Sequence, residues 1–202
     1  MLRRRIIATL LRRFDQRVVT IAAGPGFGKT TALAQALAEN RLARRGCDTW
    51  LACEPDDSHP EQLATALTTA LGARRALDPI TAIVDALLTR APEPVALVLD
   101  DVHHLVATAS GPFLDRLIDA LPENAHLVLA GRALPALSIA RFEAGGAVLR
   151  LGEHELCFGD DELQDFAQQR GVDVAILDGI GGGGRRSPRS PPRWDGRERR
   201  DT

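Results

Sequence analysis

From Val18 to Leu151 short apolar runs alternate with longer segments whose apolar positions recur at helical spacing. Five runs read as strands: Val18–Ala22, Thr49–Cys53, Val95–Leu99, Leu127–Ala130 and Val148–Leu151. The third run and its following acid spell VALVLD, and so unbroken an apolar stretch is what a strand covered on both faces requires. Helical spacing predicts helices over Thr30–Arg45, Glu61–Leu71, Ile80–Arg90 and Phe113–Leu121. A further helix is expected over Asp160–Arg170, because Asp160 and Asp161 suit the positive end of a helix. Ahead of the first strand, Leu2, Ile6, Leu10 and Phe14 share one stripe. Arg3–Arg5, Arg12 and Arg13 then read as the solvated face of an amphipathic helix. Strands and helices alternating in this way predict βα units around a parallel sheet.

Composition narrows the class. The chain has 202 residues, 45% hydrophobic and 26% charged with a net charge of -2, which suffices for one ordinary core and excludes disorder over most of its length. No run approaches the roughly 18 apolar residues of a membrane-spanning helix. The opening MLRRRIIATLLRRF is broken by arginine too often for a secretory signal core, so the expected location is the cytoplasm. Cys47, Cys53 and Cys157 lack metal-ligand clustering and read as reduced, buried thiols. The last 22 residues differ sharply: seven arginines, three acids, five glycines and three prolines predict a disordered basic tail of net charge +4.

Among 25 basic residues 24 are arginine, so Lys29 is expected where arginine cannot replace it. It stands in VVTIAAGPGFGKTT, residues 18–31, in which an apolar strand enters a glycine-rich turn and Gly28-Lys29-Thr30 opens a helix. This is the phosphate-binding loop pattern with Ala23 in place of the first glycine. Without Cβ atoms at Gly24, Gly26 and Gly28, backbone N–H groups of the loop can close around a phosphate. The helix adds its positive end to the same place. Gly24, Pro25, Gly26, Phe27, Gly28, Lys29, Thr30 and Thr31 are therefore the candidate nucleotide-binding residues, with Lys29 reaching the β- and γ-phosphates and Thr30 ligating Mg²⁺.

VALVLDDVHHL, residues 95–105, supplies acids at a strand end. Taken alone, Asp100-Asp101 is also a turn or helix cap. Paired with a glycine loop about 70 residues upstream, Asp100 reads as the second Mg²⁺ ligand and Asp101 as the group that orients or deprotonates an attacking water. Arg132 closes the run LVLAGR, where it either senses γ-phosphate charge as a catalytic group or is a solvated loop arginine. His103 and His104 are adjacent, without a partner at metal spacing, and read as hydrogen-bonded structural histidines rather than zinc ligands.

The strings AGPGFGKTTALAQAL, DTWLACEPDDSHPEQL, VALVLDDVHHL, LVLAGRALPALSIARF and VLRLGEHELCFGDDEL follow an order that resembles the N-terminal ATPase module of MalT-like, large LuxR-type transcriptional regulators. That group is the STAND branch of AAA+-related P-loop proteins, and the likeness covers residues 3–181. The resemblance implies a three-layer P-loop NTPase sandwich whose five-stranded, mostly parallel sheet has the glycine-loop strand at its centre, flanked by the strands ending in Asp101 and Arg132. It implies ATP or ADP with Mg²⁺ as ligands, and matches Trp50, Leu51, Asp56, Asp57 and His103 to family positions. It also implies a nucleotide-dependent switch that acts through self-association or neighbouring regulator domains, with sequence-specific DNA contacts made by a separate helix-turn-helix and none by this chain.

The expected division is an amphipathic helix over residues 1–16, a P-loop ATPase core over 17–152, the start of a helical region over 153–180 and the tail from 181. Where the resembled family continues into sensor and DNA-binding regions, Gly179–Gly184 passes into arginine and proline, and one expectation is that this tail is an out-of-frame reading that makes a truncated product. Alternatives are another P-loop enzyme (a kinase or transport ATPase), a non-functional fragment, or a nucleic-acid binder using the basic tail. The last conflicts with the net charge of -6 over residues 1–180.

Overall fold

Each apolar run becomes a strand, and the five strands form one wholly parallel sheet in the order β2-β3-β4-β1-β5. The computed structural model describes residues 3–74 and 76–159 together with Glu162, Gln164 and Gln168. Leu2, most of the predicted Asp160–Arg170 helix and the tail lie outside the described residues.

In chain order the elements are α1 (Arg4–Leu11), β1 (Val18–Ala22), α2 (Lys29–Leu42), β2 (Cys47–Ala52), α3 (Pro60–Leu71), α4 (Pro79–Leu88), β3 (Val95–Asp100), α5 (Ser110–Ala120), β4 (Ala125–Gly131), α6 (Ala140–Ala144), β5 (Val148–Leu151) and α7 (Glu153–Leu156). Short 3-10 turns follow α1, β2 and β3. Helices cover both faces of the sheet, which makes the three-layer α/β sandwich of P-loop NTPases. The alternation along β3 assigns the layers. Val95, Leu97 and Leu99 pack with Leu63 and Leu67 of α3, Ile83 of α4 and Leu117 of α5. Ala96 and Val98 belong to the opposite layer, with Ile6 and Leu10 of α1 and Leu33 of α2. No helix among the described residues is long and apolar enough to cross a membrane.

The strand neighbours differ from the expectation. β1 lies inside the sheet, but its partners are β4 and β5, and β4 separates it from β3. The strand that ends in Asp100 is therefore two places from the glycine loop. Boundaries also move, for local reasons. β2 begins at Cys47 rather than Thr49 because Cys47 and Asp48 continue the ladder opposite Val95 and Ala96. α2 stops at Leu42, before the predicted Arg45, and Asn40 staples the turn that follows, donating to Gly46 O at 2.9 Å and accepting from Arg45 N at 3.0 Å. α5 starts three residues early, with Pro112 inside its first turn, where no N–H is needed.

The N-terminal segment departs most from its amphipathic reading. Ile6, Ile7, Leu10 and Phe14 are buried as the stripe requires, but the helix ends at Leu11 and a 3-10 turn carries Arg13 inward. Arg13 is fully buried and forks onto Asp48, with Nε to Oδ1 at 2.8 Å and Nη2 to Oδ2 at 2.7 Å, while Nη1 donates to Leu10 O. Asn40 adds a bond to the same carboxylate at 2.8 Å. Arg3 is buried as well. Only Cys53 of the three cysteines is buried, while Cys47 and Cys157 are partly exposed.

Two predictions follow from this packing. Asp48→Ala leaves the Arg13 guanidinium buried without its counter-ion and is expected to cost about 3–5 kcal/mol of stability, read by denaturant unfolding. An unchanged midpoint would show that Arg13 finds solvent. His126 at the start of β4 is held below the ordinary imidazole value, chiefly by burial, while Gln16 O lies 2.7 Å from its Nδ1. The unfolded chain thus binds a proton more readily than the folded one, so this contribution is complete above about pH 6.5 and is lost as the pH falls through the lowered value. His126→Gln is expected to flatten that part of the stability–pH curve.

Candidate functional site

A parallel sheet delivers all its strand ends to one edge. Ala22 pairs with Gly131, and Ala52 with Asp100, so the glycine loop, the Asp100 turn and Arg132 leave the sheet along a common edge. The loop after β1 reverses through Gly26 (φ 84°) and Gly28 (φ 73°), both left-handed positions where a side chain would be strained. This reversal places Lys29 and Thr30 in the first turn of α2, whose leading N–H groups have no partners within the helix.

Three of the expected site residues converge there. Lys29 is buried, and its Nζ donates to Ala23 O at 2.8 Å and Gly24 O at 2.9 Å. The Thr30 hydroxyl donates to Asp100 Oδ2 at 2.7 Å. Asp100 is almost fully buried, and its other oxygen accepts from Asp101 N at 3.0 Å. A hydroxyl and a carboxylate facing one another at the head of a helix are hard oxygen donors of the kind Mg²⁺ takes, so these residues fit the ion. Of the remaining loop residues, Gly24, Phe27 and Gly28 are half-buried, while Pro25, Gly26 and Thr31 are exposed.

Asp100 reaches Thr30 past the end of β4, where Gly131 packs against the turn after β3. A Cβ on Gly131 would lie 2.9 Å from Ala133 O, 3.0 Å from His103 N and 3.1 Å from Val102 Cγ2. The turn after β3 therefore presses against the backbone of Gly131. Asp101 begins that turn in the left-handed region (φ 55°), which aspartate tolerates better than most residues, and its carboxylate is half-exposed at the rim.

His103 Nδ1 lies 3.6 Å from Asp101 Oδ1, beyond hydrogen-bond distance, and this buried atom has no hydrogen-bond partner among the described residues. The expected hydrogen-bonded histidine is thus not found. Its ring sits 4.2 Å from that of His104, and its pKa is depressed first by burial, then by Arg132 and His104. Arg132 itself is exposed on the loop after β4, within electrostatic reach of His103. Beneath the acids, burial with Asp57, Asp100 and Asp101 pushes the Cys53 thiol up to about 12, which keeps it protonated and inert. Asp57 serves the backbone: its Oδ2 accepts from Glu54 N at 2.8 Å and its carbonyl from Ser110 Oγ at 2.6 Å.

The family described as AAA domain matches residues 12–136, from the turn after α1 to beyond β4. The chain belongs to this family. The AAA domain is also similar to the HTH-type transcriptional regulator MalT of Yersinia enterocolitica, 27% identical over 182 residues, which covers 82% of this chain and 20% of that protein. The chain thus spans about a fifth of the length of the curated relatives it matches. Two solved structures show the fold. Orc1 of Aeropyrum pernix, solved in complex with DNA, aligns with a TM-score of 0.55 at 17% identity, over 83% of this chain and 47% of that one. AMPPCP-bound DnaA from Aquifex aeolicus aligns with a TM-score of 0.50 at 17% identity, over 85% and 54%.

Two residues at this edge escaped the sequence reading. Arg3 sends Nη1 to Phe27 O at 3.2 Å, against the glycine loop, and Glu153 accepts from Gly24 N at 3.1 Å. One arginine in a basic segment and one glutamate in an acidic stretch carry no signal in sequence, because the contacts span 24 and 129 residues. The crowding at Gly131 yields a prediction. Gly131→Ala is expected to cost about 1–3 kcal/mol and to push the Asp100 turn away from Thr30. Thermal unfolding and a structure of the variant check this, and an undisturbed Thr30–Asp100 pair would contradict it.

Proposed function

We propose that the AAA domain is a nucleotide switch that binds ATP or ADP with Mg²⁺ and hydrolyses ATP slowly. The observation that carries this reading is the contact between Thr30 and Asp100 beside buried Lys29, at the positive end of α2. In this reading Lys29 leaves the loop carbonyls for the β- and γ-phosphates, and the N–H groups of residues 26–31 receive the remaining phosphate oxygens. Thr30 and Asp100 hold Mg²⁺, which neutralises charge on the phosphates when bound. Asp101, at the rim, orients the attacking water and accepts its proton. Arg132, exposed on the loop after β4, is in this reading a sensor of γ-phosphate charge. Asp101 is half-exposed and Arg132 exposed to solvent, which fits slow turnover better than catalysis in a water-excluded site.

Similarity to MalT supports placing this switch in a transcriptional regulator of the cytoplasm. Its output then passes to neighbouring regulator domains or to a second copy, and DNA recognition belongs to a helix-turn-helix elsewhere in such a protein. In this scheme residues 17–152 form the nucleotide-binding core.

Titration of wild type and Lys29→Ala with ATP and ADP tests the reading. The variant is expected to bind about 100-fold more weakly, as loss of a charged hydrogen-bonding partner implies, while unfolding cooperatively like wild type. Equal binding by the two proteins overturns the proposal. Turnover well below one per second is expected, whereas about 10 per second with an added phosphoryl acceptor would establish a kinase instead.

A further inference from the structure

One peptide unit joins the glycine loop to the segment after β5. The amide between Ala23 and Gly24 is engaged at both ends. Its carbonyl accepts from Lys29 Nζ at 2.8 Å, and its N–H donates to Glu153 Oε1 at 3.1 Å. An ammonium and a carboxylate thus polarise a single amide from opposite sides, and hydrogen bonds chained in this way strengthen each other. Glu153 is the first residue of α7.

The other end of α7 is held by different means. Arg3 Nη2 donates to Leu156 O and, at 3.3 Å, to Cys157 O, while its Nη1 reaches Phe27 O. Arg5 Nη2 donates to Glu155 O and Cys157 O, both at 2.8 Å. The end nearest Cys157 is therefore tied to α1 through backbone carbonyls, which a bound anion does not compete for. The Glu153 end is tied through a carboxylate to the loop that receives the anion.

We propose that Glu153 is a latch that responds to the position of Lys29. A polyphosphate in the glycine loop draws Lys29 off Ala23 O, the Glu153 carboxylate releases Gly24, and α7 turns about its Arg3–Arg5 anchor. The inference rests on the nucleotide reading above and adds the means by which the loop signals to the chain beyond Cys157. Two effects act in the same direction. Withdrawal of Lys29 removes the polarisation that strengthens the Gly24 donor, and phosphate charge near the loop repels the carboxylate. Glu153 is exposed, so its contact with Gly24 is weak enough for a ligand to override. The coupling is reciprocal: a ligand that opens the latch binds more weakly while the latch is closed.

The test uses the full 202-residue chain with MgATP and with inorganic tripolyphosphate, measured by calorimetry and by hydrogen exchange over residues 152–158. Glu153→Gln is expected to bind both ligands about 2- to 10-fold more tightly than wild type. In wild type either ligand is expected to raise exchange over the segment, whereas in Glu153→Ala, which removes the acceptor that glutamine would keep, exchange is already high and does not respond. Unchanged or weaker affinity in Glu153→Gln overturns the latch. So does tighter binding with ligand-independent exchange in wild type, since Glu153 would then act only as a nearby charge. If wild type binds and Lys29→Ala does not, either failure belongs to the latch alone. If wild type binds no nucleotide, both proposals fall.

Discussion

The hydrogen bond from Thr30 to Asp100 depends on a constraint that reaches through the whole sheet: three parallel strands must end level with one another. β1 carries the glycine loop, β3 carries Asp100, and β4 lies between them. β4 ends between them in Gly131, and the turn after β3 packs against the backbone there. An extra Cβ there would act on the turn containing Val102 and His103, and through it on Asp100. The geometry of the site is thus set by packing between strand ends as much as by the glycine loop.

Buried arginines supply a second organising interaction. Arg13 ties α1 to β2 through Asp48, and Arg3 ties the start of α1 to the glycine loop and to the carbonyls closing α7. Burial lowers the Arg3 pKa, yet a guanidinium remains charged there because its ordinary value is so high. Its planar array of donors reaches carbonyls from separate elements, which a lysine could not hold in the same geometry. The first helix is therefore fastened to one face of the sheet by these arginines as well as by its apolar stripe.

Much of this was legible in the chain itself. Short runs dominated by apolar residues marked all five strands, and the unbroken apolar stretch of β3 fits a strand covered on both faces. The spacing of Gly26, Gly28, Lys29 and Thr30 marked the candidate anion site, because left-handed turns, a point charge and a hydroxyl are each supplied by few residue types. Asp100 was legible too, as an acid at the end of an apolar strand. The readings that failed concerned residues whose role depends on distant neighbours. Arg3 and Arg13 looked solvated because charge opposite an apolar stripe usually is, and His103 looked hydrogen-bonded because buried imidazoles usually are.

What the sequence determined alone was therefore local: which segments are strands, where the chain reverses, and which side chains are candidates for the proposed phosphate and Mg²⁺ chemistry. Tertiary structure decided the order of strands, with β4 inserted between β1 and β3, and so the close packing of the turn after β3 on Gly131. It also decided that Glu153 meets the amide held by Lys29 and that Arg3 faces inward. The physical reason is range. Backbone conformation and periodicity act over a few residues and leave a pattern in them, whereas these contacts join groups far apart in the chain, whose identities constrain one another only after the sheet has brought them to one edge.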